Sequence, residues 1–323
     1  MKATRMKVDV VGIGEAMIRL SVDLGARLET ATHYRVEVGG AEANVVAAVA
    51  RMGLRSAWLT RLPTNPLGRR AAAEIGRHGV DVSHVSWTDE DRMGLYFVEL
   101  GSPPRPTSVI YDRAGSAAGR MTVDDIPWQV VESATLVHLS GITPALSASC
   151  RTVSFESVKR ARLAGTLVSV DVNYRAKLWA PEEAREVLTE LCGAADLVLC
   201  TAEDARDVFR VTADPEEAAP ALAEVLRVER VVLTDGERRA YWFEGGVVRF
   251  SEPYLATVVD RVGAGDAFAA GVIIGLLEDD LSSGVRRGLA MAALKLGTRG
   301  DQLMAQPDEV EALMRGNARG VVR

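Results

Sequence analysis

Asp260-Arg-Val-Gly263-Ala264-Gly265-Asp266-Ala-Phe-Ala-Ala-Gly271 is the stretch on which the reading of this chain turns. Gly263 and Gly265 permit positive φ and let backbone N–H groups crowd together, and the apolar run 264–277 has helical length. Asp266 then falls in the first helical turn, where unpaired N–H groups and the positive dipole end attract anions. The stretch predicts a phosphate-sized anion site with one carboxylate inside it. A carboxylate beside a transferring phosphoryl group is placed to take a proton from an attacking hydroxyl, which points to phosphoryl transfer onto an alcohol. Read as structure alone, the same Asp266 would be a capping or dipole residue.

The rest of the chain supplies a scaffold for such a site. Short apolar runs at 8–13, 56–60, 136–140, 167–172, 197–200 and 231–234 alternate with amphipathic stretches at 42–52, 67–78, 147–163 and 181–192. That alternation predicts an α/β fold: a doubly wound, mostly parallel sheet with helices on both faces. Gly53, Gly79, Gly165 and Gly193 follow those helices as stop signals. Helices are also expected at 264–277, 282–296 and 307–315, after a hairpin of 239–243 with 247–250 around Gly245 and Gly246.

Two excursions break the pattern. Residues 18–22 with 33–38, and 94–100 with 108–113, alternate apolar and polar side chains as half-exposed strands do, with no helix between the members of either pair. They predict a small β-sheet lid, within about 15–39 and 93–114, over the carboxyl ends of the main sheet. With no linker, repeat or low-complexity segment, residues 1–323 read as one domain.

Composition narrows the function. A chain of 323 residues, 48% apolar and 25% charged, can bury a large core, and its formal net charge of −6 speaks against a nucleic-acid surface. No apolar run is long enough to span a bilayer, and the start of the chain lacks a signal-peptide pattern, so no membrane partner and a cytoplasmic location are expected. Cys150, Cys192 and Cys200 form no C-x-x-C pair and read as small buried hydrophobes. His33, His78, His84 and His138 share no ligand-like spacing, and His138 has no nucleophile elbow. The glycines at 12 and 14 suggest a dinucleotide fingerprint, but Met17 stands where a third glycine belongs and Glu15 would face a pyrophosphate.

Two separated signatures carry a family resemblance. GGAEANVVAAVARMG (39–53) and DRVGAGDAF (260–268) resemble the ribokinase-like (PfkB) carbohydrate kinases over nearly the full length. The segments 94–99, 111–116 and 171–179 are similar to the 2-keto-3-deoxygluconate kinase subgroup. The resemblance implies ATP-dependent phosphorylation of a sugar acid, with Asp266 as catalytic base and the backbone of Gly263, Ala264 and Gly265 as anion hole. It implies ATP and Mg2+, a sugar-acid substrate, and Gly39, Gly40, Asn44, Tyr96, Tyr111, Arg113, Arg175 and Asp301 as substrate contacts. Arg113 and Arg175 offer the bidentate geometry a carboxylate accepts. Asp171, Asn173 and Arg175 fall at i, i+2 and i+4, sharing one face if their strand continues. Asn173, Thr234, Asp235 and Gly236 match positions near the nucleotide, with Gly263 and Gly265 shared between roles.

Two departures stand out. The family's Asn-x-x-Glu is here Cys200-Thr-Ala-Glu203, which keeps Glu203 as an indirect metal contact and loses its companion amide, and Arg261 stands where many relatives carry Thr. A neutral-sugar kinase of fructokinase or ribokinase type, or a non-catalytic sensor on the same fold, is the alternative. The lid's edges are expected to pair with a second copy.

Overall fold

Alternate residues of each core strand face opposite ways, and the structure buries both sets. Val11 and Ile13 pack into one apolar layer and Val10 into another; Val198 and Cys200 part in the same way from Leu197 and Leu199. The computed structural model describes residues 7–101 and 104–316. Residues 1–6, and 102–103 within the second lid excursion, lie outside them.

In chain order the elements are β1 (Val10–Ile13), β2 (Met17–Ser21), β3 (Arg35–Gly39), α1 (Ala41–Arg51), β4 (Ser56–Leu59), β5 (Arg61–Pro63), α2 (Pro66–Gly76), β6 (Ser86–Thr88), β7 (Leu95–Glu99) and β8 (Ser108–Asp112). There follow α3 (Trp128–Ser133), β9 (Leu136–Ser140), α4 (Thr143–Leu146), α5 (Ala148–Ala164), β10 (Leu167–Asp171), α6 (Pro181–Gly193), β11 (Leu197–Thr201), α7 (Ala202–Phe209) and α8 (Pro215–Leu226). The chain closes with β12 (Val231–Thr234), β13 (Ala240–Glu244), β14 (Val247–Ser251), α9 (Ala264–Leu277), α10 (Leu281–Leu296) and α11 (Pro307–Met314).

The main sheet runs β14-β13-β12-β11-β10-β9-β1-β4, parallel from β12 to β4, with the β13–β14 hairpin as an antiparallel edge. Side chains of α3, α5, α6, α7 and α8 cover one face and those of α1, α2, α9, α10 and α11 the other. The two excursions form a second sheet, β3-β2-β7-β8, entered directly from the carboxyl end of β1. Doubly wound core and small β lid are thus both present. A short parallel pair, β5 with β6, was not anticipated.

Gly53, Gly79 and Gly165 adopt positive φ after their helices, whereas Gly193 is the last residue of α6 and does not. The helices α7 and α8 were missed. Each ends on an arginine held left-handed, Arg210 and Arg227, so the glycine stop that marked the others is lacking. Burial on nearly every side suits α9 to the interior, and glycines let α10 cross it at backbone contact. A Cβ on Gly271 would lie 2.4 Å from the backbone N of Gly288, so this crossing fixes where the amino end of α9 sits.

Candidate active site

Between the carboxyl ends of the core strands and the inner lid face lies a cavity of about 650 Å³, a size suited to a small ligand. Asp266, Asn44, Arg113, Arg175, Tyr96, Tyr111 and Asp301 all line it. Asp266 occupies the first turn of α9, as expected, and the Asn44 side chain on α1 donates to its Oδ2 at 2.7 Å. Gly263 takes φ 85° as the N-cap, and no side chain caps the helix. Apart from the Ala264 N–H, which donates to the Arg261 carbonyl at 3.4 Å, its first-turn N–H groups are left for an anion. A Cβ on Gly263 would lie 1.8 Å from the carbonyl oxygen of Asp301, whereas one on Gly265 would meet nothing within 4 Å.

Electrostatics single out the same acid. Burial raises the Asp266 carboxyl to about 7, with the Asn44 amide and Arg175 pulling down against Asp301 and Glu42. Burial, with Asp266 and Asp204 adding like charge, pushes Asp171 to about 8, and burial takes Asp204 to about 6. The cavity therefore holds carboxylates that crowd one another. Its cations are mostly engaged. Arg113 donates to buried Glu15, leaving Arg113 Nε and Glu15 Oε1 without partners, and Arg261 pairs with Glu237 at 2.5 Å. Burial outweighs Arg113 in setting Glu15, whose carboxyl is raised. Arg175 is exposed and, among the described residues, forms no ion pair.

One wall of the cavity is assembled from lid and core together. The Tyr96 hydroxyl donates to Asp301 Oδ2 at 2.6 Å, and Tyr111 stacks on Tyr96 with ring centroids 6.0 Å apart. Gly39 sits against both, since a Cβ there would be 2.2 Å from Asp301 Oδ2 and 2.3 Å from the Tyr96 hydroxyl. Gly40 approaches the Glu15 carbonyl in the same way.

One expectation needs correction. The strand carrying Asp171 stops there, and Asn173 turns left-handed at φ 38°, so Asp171, Asn173 and Arg175 reach the cavity from a turn rather than from one strand face. Thr234, Asp235 and Gly236 are not among the cavity walls; Asp235 borders a separate depression with Asp214 and Arg238. Glu203 is exposed at the cavity rim, and the described residues contain no group of three or more ligands suited to a metal ion. Thr201, beside the substituted Cys200, accepts from the Asp204 N–H at 2.9 Å and caps α7.

The three cysteines are free and buried. His138 lies buried against the Ser169 hydroxyl, with burial driving its imidazole down to about 3, which suits packing and not hydrolysis. No helix among the described residues is long and apolar enough to cross a membrane.

A profile of the pfkB family carbohydrate kinases matches residues 7–308. The chain belongs to the PfkB family. This PfkB kinase is 40% identical to a 2-dehydro-3-deoxygalactonokinase of Haloferax volcanii, covering 98% of this chain and 100% of the relative. A 2-dehydro-3-deoxygluconokinase of Bacillus subtilis is 34% identical over 92% of each chain. Its fold superposes on the solved 2-dehydro-3-deoxygluconokinase of Thermotoga maritima with a TM-score of 0.90 at 35% identity, covering 96% of this chain and 100% of the other. It is a phosphotransferase acting on a carbohydrate.

Some residues of this kinase's site escaped the sequence. Arg19, on lid strand β2, is fully buried and reaches both Asp301 and Asp260 at 2.6 Å. Alternation pointed the other way: Arg19 and Ser21 alternate with apolar Ile18, Leu20 and Val22, so the arginine read as a solvent-facing residue of a half-exposed strand. Glu15 was read only as a repellent for pyrophosphate, yet it engages Arg113. Glu42 was not singled out, and it is buried, accepting from Ser140 and Thr143 hydroxyls at 2.7 Å each.

Proposed function

We propose that this PfkB kinase transfers the γ-phosphoryl group of ATP to a hydroxyl of a 2-keto-3-deoxy sugar acid, working as one unit with its lid inserted in the core. What carries the reading is Arg175, an uncommitted guanidinium in a cavity whose other arginines already have carboxylate partners. A neutral sugar would leave that guanidinium without an ion-pair partner in contact, whereas a carboxylate takes it in bidentate fashion. Relatives named for keto-deoxy sugar acids support the same class.

The chemistry follows from the acid and the turn. The Asp266 oxygen not held by Asn44 accepts the proton of the sugar hydroxyl as its oxygen bonds to the γ-phosphorus and the bond to ADP breaks. Charge gathering on the phosphoryl oxygens meets the backbone N–H groups of Gly263, Ala264 and Gly265. Gly39, Gly40, Asn44, Tyr96, Tyr111, Arg113 and Asp301 shape the sugar side. Asn173, with Thr234, Asp235 and Gly236 further off, serves the nucleotide side.

ATP enters as substrate with Mg2+. Since the described residues offer no group of three ligands, the ion would be held mainly by the phosphates of ATP, and its positive charge would relieve the raised carboxyls of Asp171 and Asp204. Glu203 would contribute to that network indirectly. On the lid's outer face Val36 and Ile110 are exposed, where a second copy would pair.

The candidate substrates reduce to two epimers. 2-Keto-3-deoxygluconate is the primary reading, and the galactonate epimer is the second, favoured by the higher identity to the Haloferax volcanii relative. Release of ADP should be followed with both acids, fructose and ribose. A keto-deoxy acid is expected to give by far the highest kcat/KM. Preference for a neutral sugar would overturn the substrate class, and binding without turnover would mark a sensor.

A further inference from the structure

Arg19 belongs to the lid, yet its charge is balanced by two loops of the core. Its Nη1 meets Asp301 Oδ1 and its Nη2 meets Asp260 Oδ2, both at 2.6 Å, while Nε lies 3.2 Å from Glu37 Oε2. A guanidinium withdrawn from water persists only when carboxylates answer it, and its planar fork holds two of them at a set separation that a single ammonium cannot reproduce. Both partners bear on the cavity. Asp301 lines it and takes the Tyr96 hydroxyl on its other oxygen.

Asp260 leads into the anion turn three residues before Gly263. It accepts from the backbone N–H of Val262 at 3.1 Å and of Gly300 at 3.2 Å, and buried Lys295 donates to its carbonyl oxygen at 3.0 Å. The segment 297–301 is thereby pressed onto the turn, so closely that Gly263 has no room for a Cβ beneath the Asp301 carbonyl.

We infer that Arg19 is a positioning residue for phosphoryl transfer, a buried fork on the lid that sets the Asp301 carboxylate and the Asp260–Gly263 turn in a single arrangement. It acts through Asp301 and Asp260 rather than by touching substrate. Because β2 carries it, the seating of the lid over the sugar and the shape of the anion turn are coupled. The inference deepens the kinase reading above and rests on it.

The test is a double-mutant cycle on the full chain: wild type, Arg19→Lys, Asp301→Asn and the double variant, with MgATP and 2-keto-3-deoxygluconate. Lysine keeps the charge and loses the fork. Arg19→Lys is expected to lower kcat by on the order of 10- to 100-fold, the scale of a small misplacement of reacting groups. MgATP affinity should stay within about three-fold, and the double variant should be about as slow as the slower single one, the sign of coupled residues.

A lowered melting temperature with kcat and KM unchanged, or losses in kcat that simply multiply in the double variant, would overturn the inference. Should Arg19→Lys yield no folded protein, Asp260→Asn takes its place in the cycle. If the wild type phosphorylates only a neutral sugar, the substrate reading falls by itself, and the same cycle on that sugar still decides the role of Arg19.

Discussion

One substitution should move the acid limb of the pH profile. Burial lifts the Asp266 carboxyl from its ordinary 3.8 to about 7, and the Asn44 amide opposes that rise by donating to the charged form at 2.7 Å. A protonated Asp266 cannot accept the hydroxyl proton, so kcat/KM, which reports the free enzyme, should fall about ten-fold for each pH unit below the limb. A hydrogen bond to a charged group contributes about 1.5–3 kcal/mol. At about 1.36 kcal/mol per pH unit, losing it should raise the limb by roughly one to two units.

Asn44→Ala is therefore expected to carry the limb upward by that amount. Near neutrality kcat/KM should drop roughly 5- to 50-fold and recover in part as pH rises. The sign is set by the charged form: removing its donor favours the proton, so activity needs a higher pH. Coupled ADP release across about five pH units, on both proteins, measures it. A wild-type limb near 3.8, the ordinary aspartate value, would refute the buried base. So would a limb that stays put in Asn44→Ala.

Other substitutions probe the same geometry. Asp266→Asn should lower kcat by about 10²–10⁴-fold with MgATP binding kept, as single-turnover rates and calorimetry would show; near-normal turnover would send the proton elsewhere. Arg113→Ala strips buried Glu15 of its partner, so it should cost about 3–5 kcal/mol of stability and lower the melting temperature more than Arg175→Ala, with Glu15→Gln restoring much of the loss. Arg175→Ala should instead raise KM for the keto-deoxy acid and leave a neutral sugar nearly unaffected, a contrast that equal effects on both would erase. Gly263→Ala, at φ 85° and against the Asp301 carbonyl, should destabilise the fold by about 1–3 kcal/mol or more, whereas Gly265→Ala should melt normally and lose turnover.

Much of the fold was legible because its signals are local. A strand covered on both faces is a short apolar run whatever its neighbours, which is why β1, β9 and β12 stood out, and half-exposed alternation marked β2, β3, β7 and β8 as a lid. Most helix ends were legible through a glycine at or just past them, and the arginines that close α7 and α8 carry no such mark. The glycine turn and its aspartate were readable for the same reason: freedom of φ and place in a first helical turn belong to a few adjacent residues.

Taken by itself, the chain determined the layers, the lid, the glycine turn and the acid within it. Tertiary structure alone decided which charges answer one another. Arg19 and its partners lie 241 and 282 residues apart, so no window of sequence could join them. Arg113 and Arg175 look alike in sequence, and only the fold brings Glu15, 98 residues away, against the first while leaving the second open. Charge pairing depends on distance and on exclusion of water, and both come into being only once the chain has closed around the cavity.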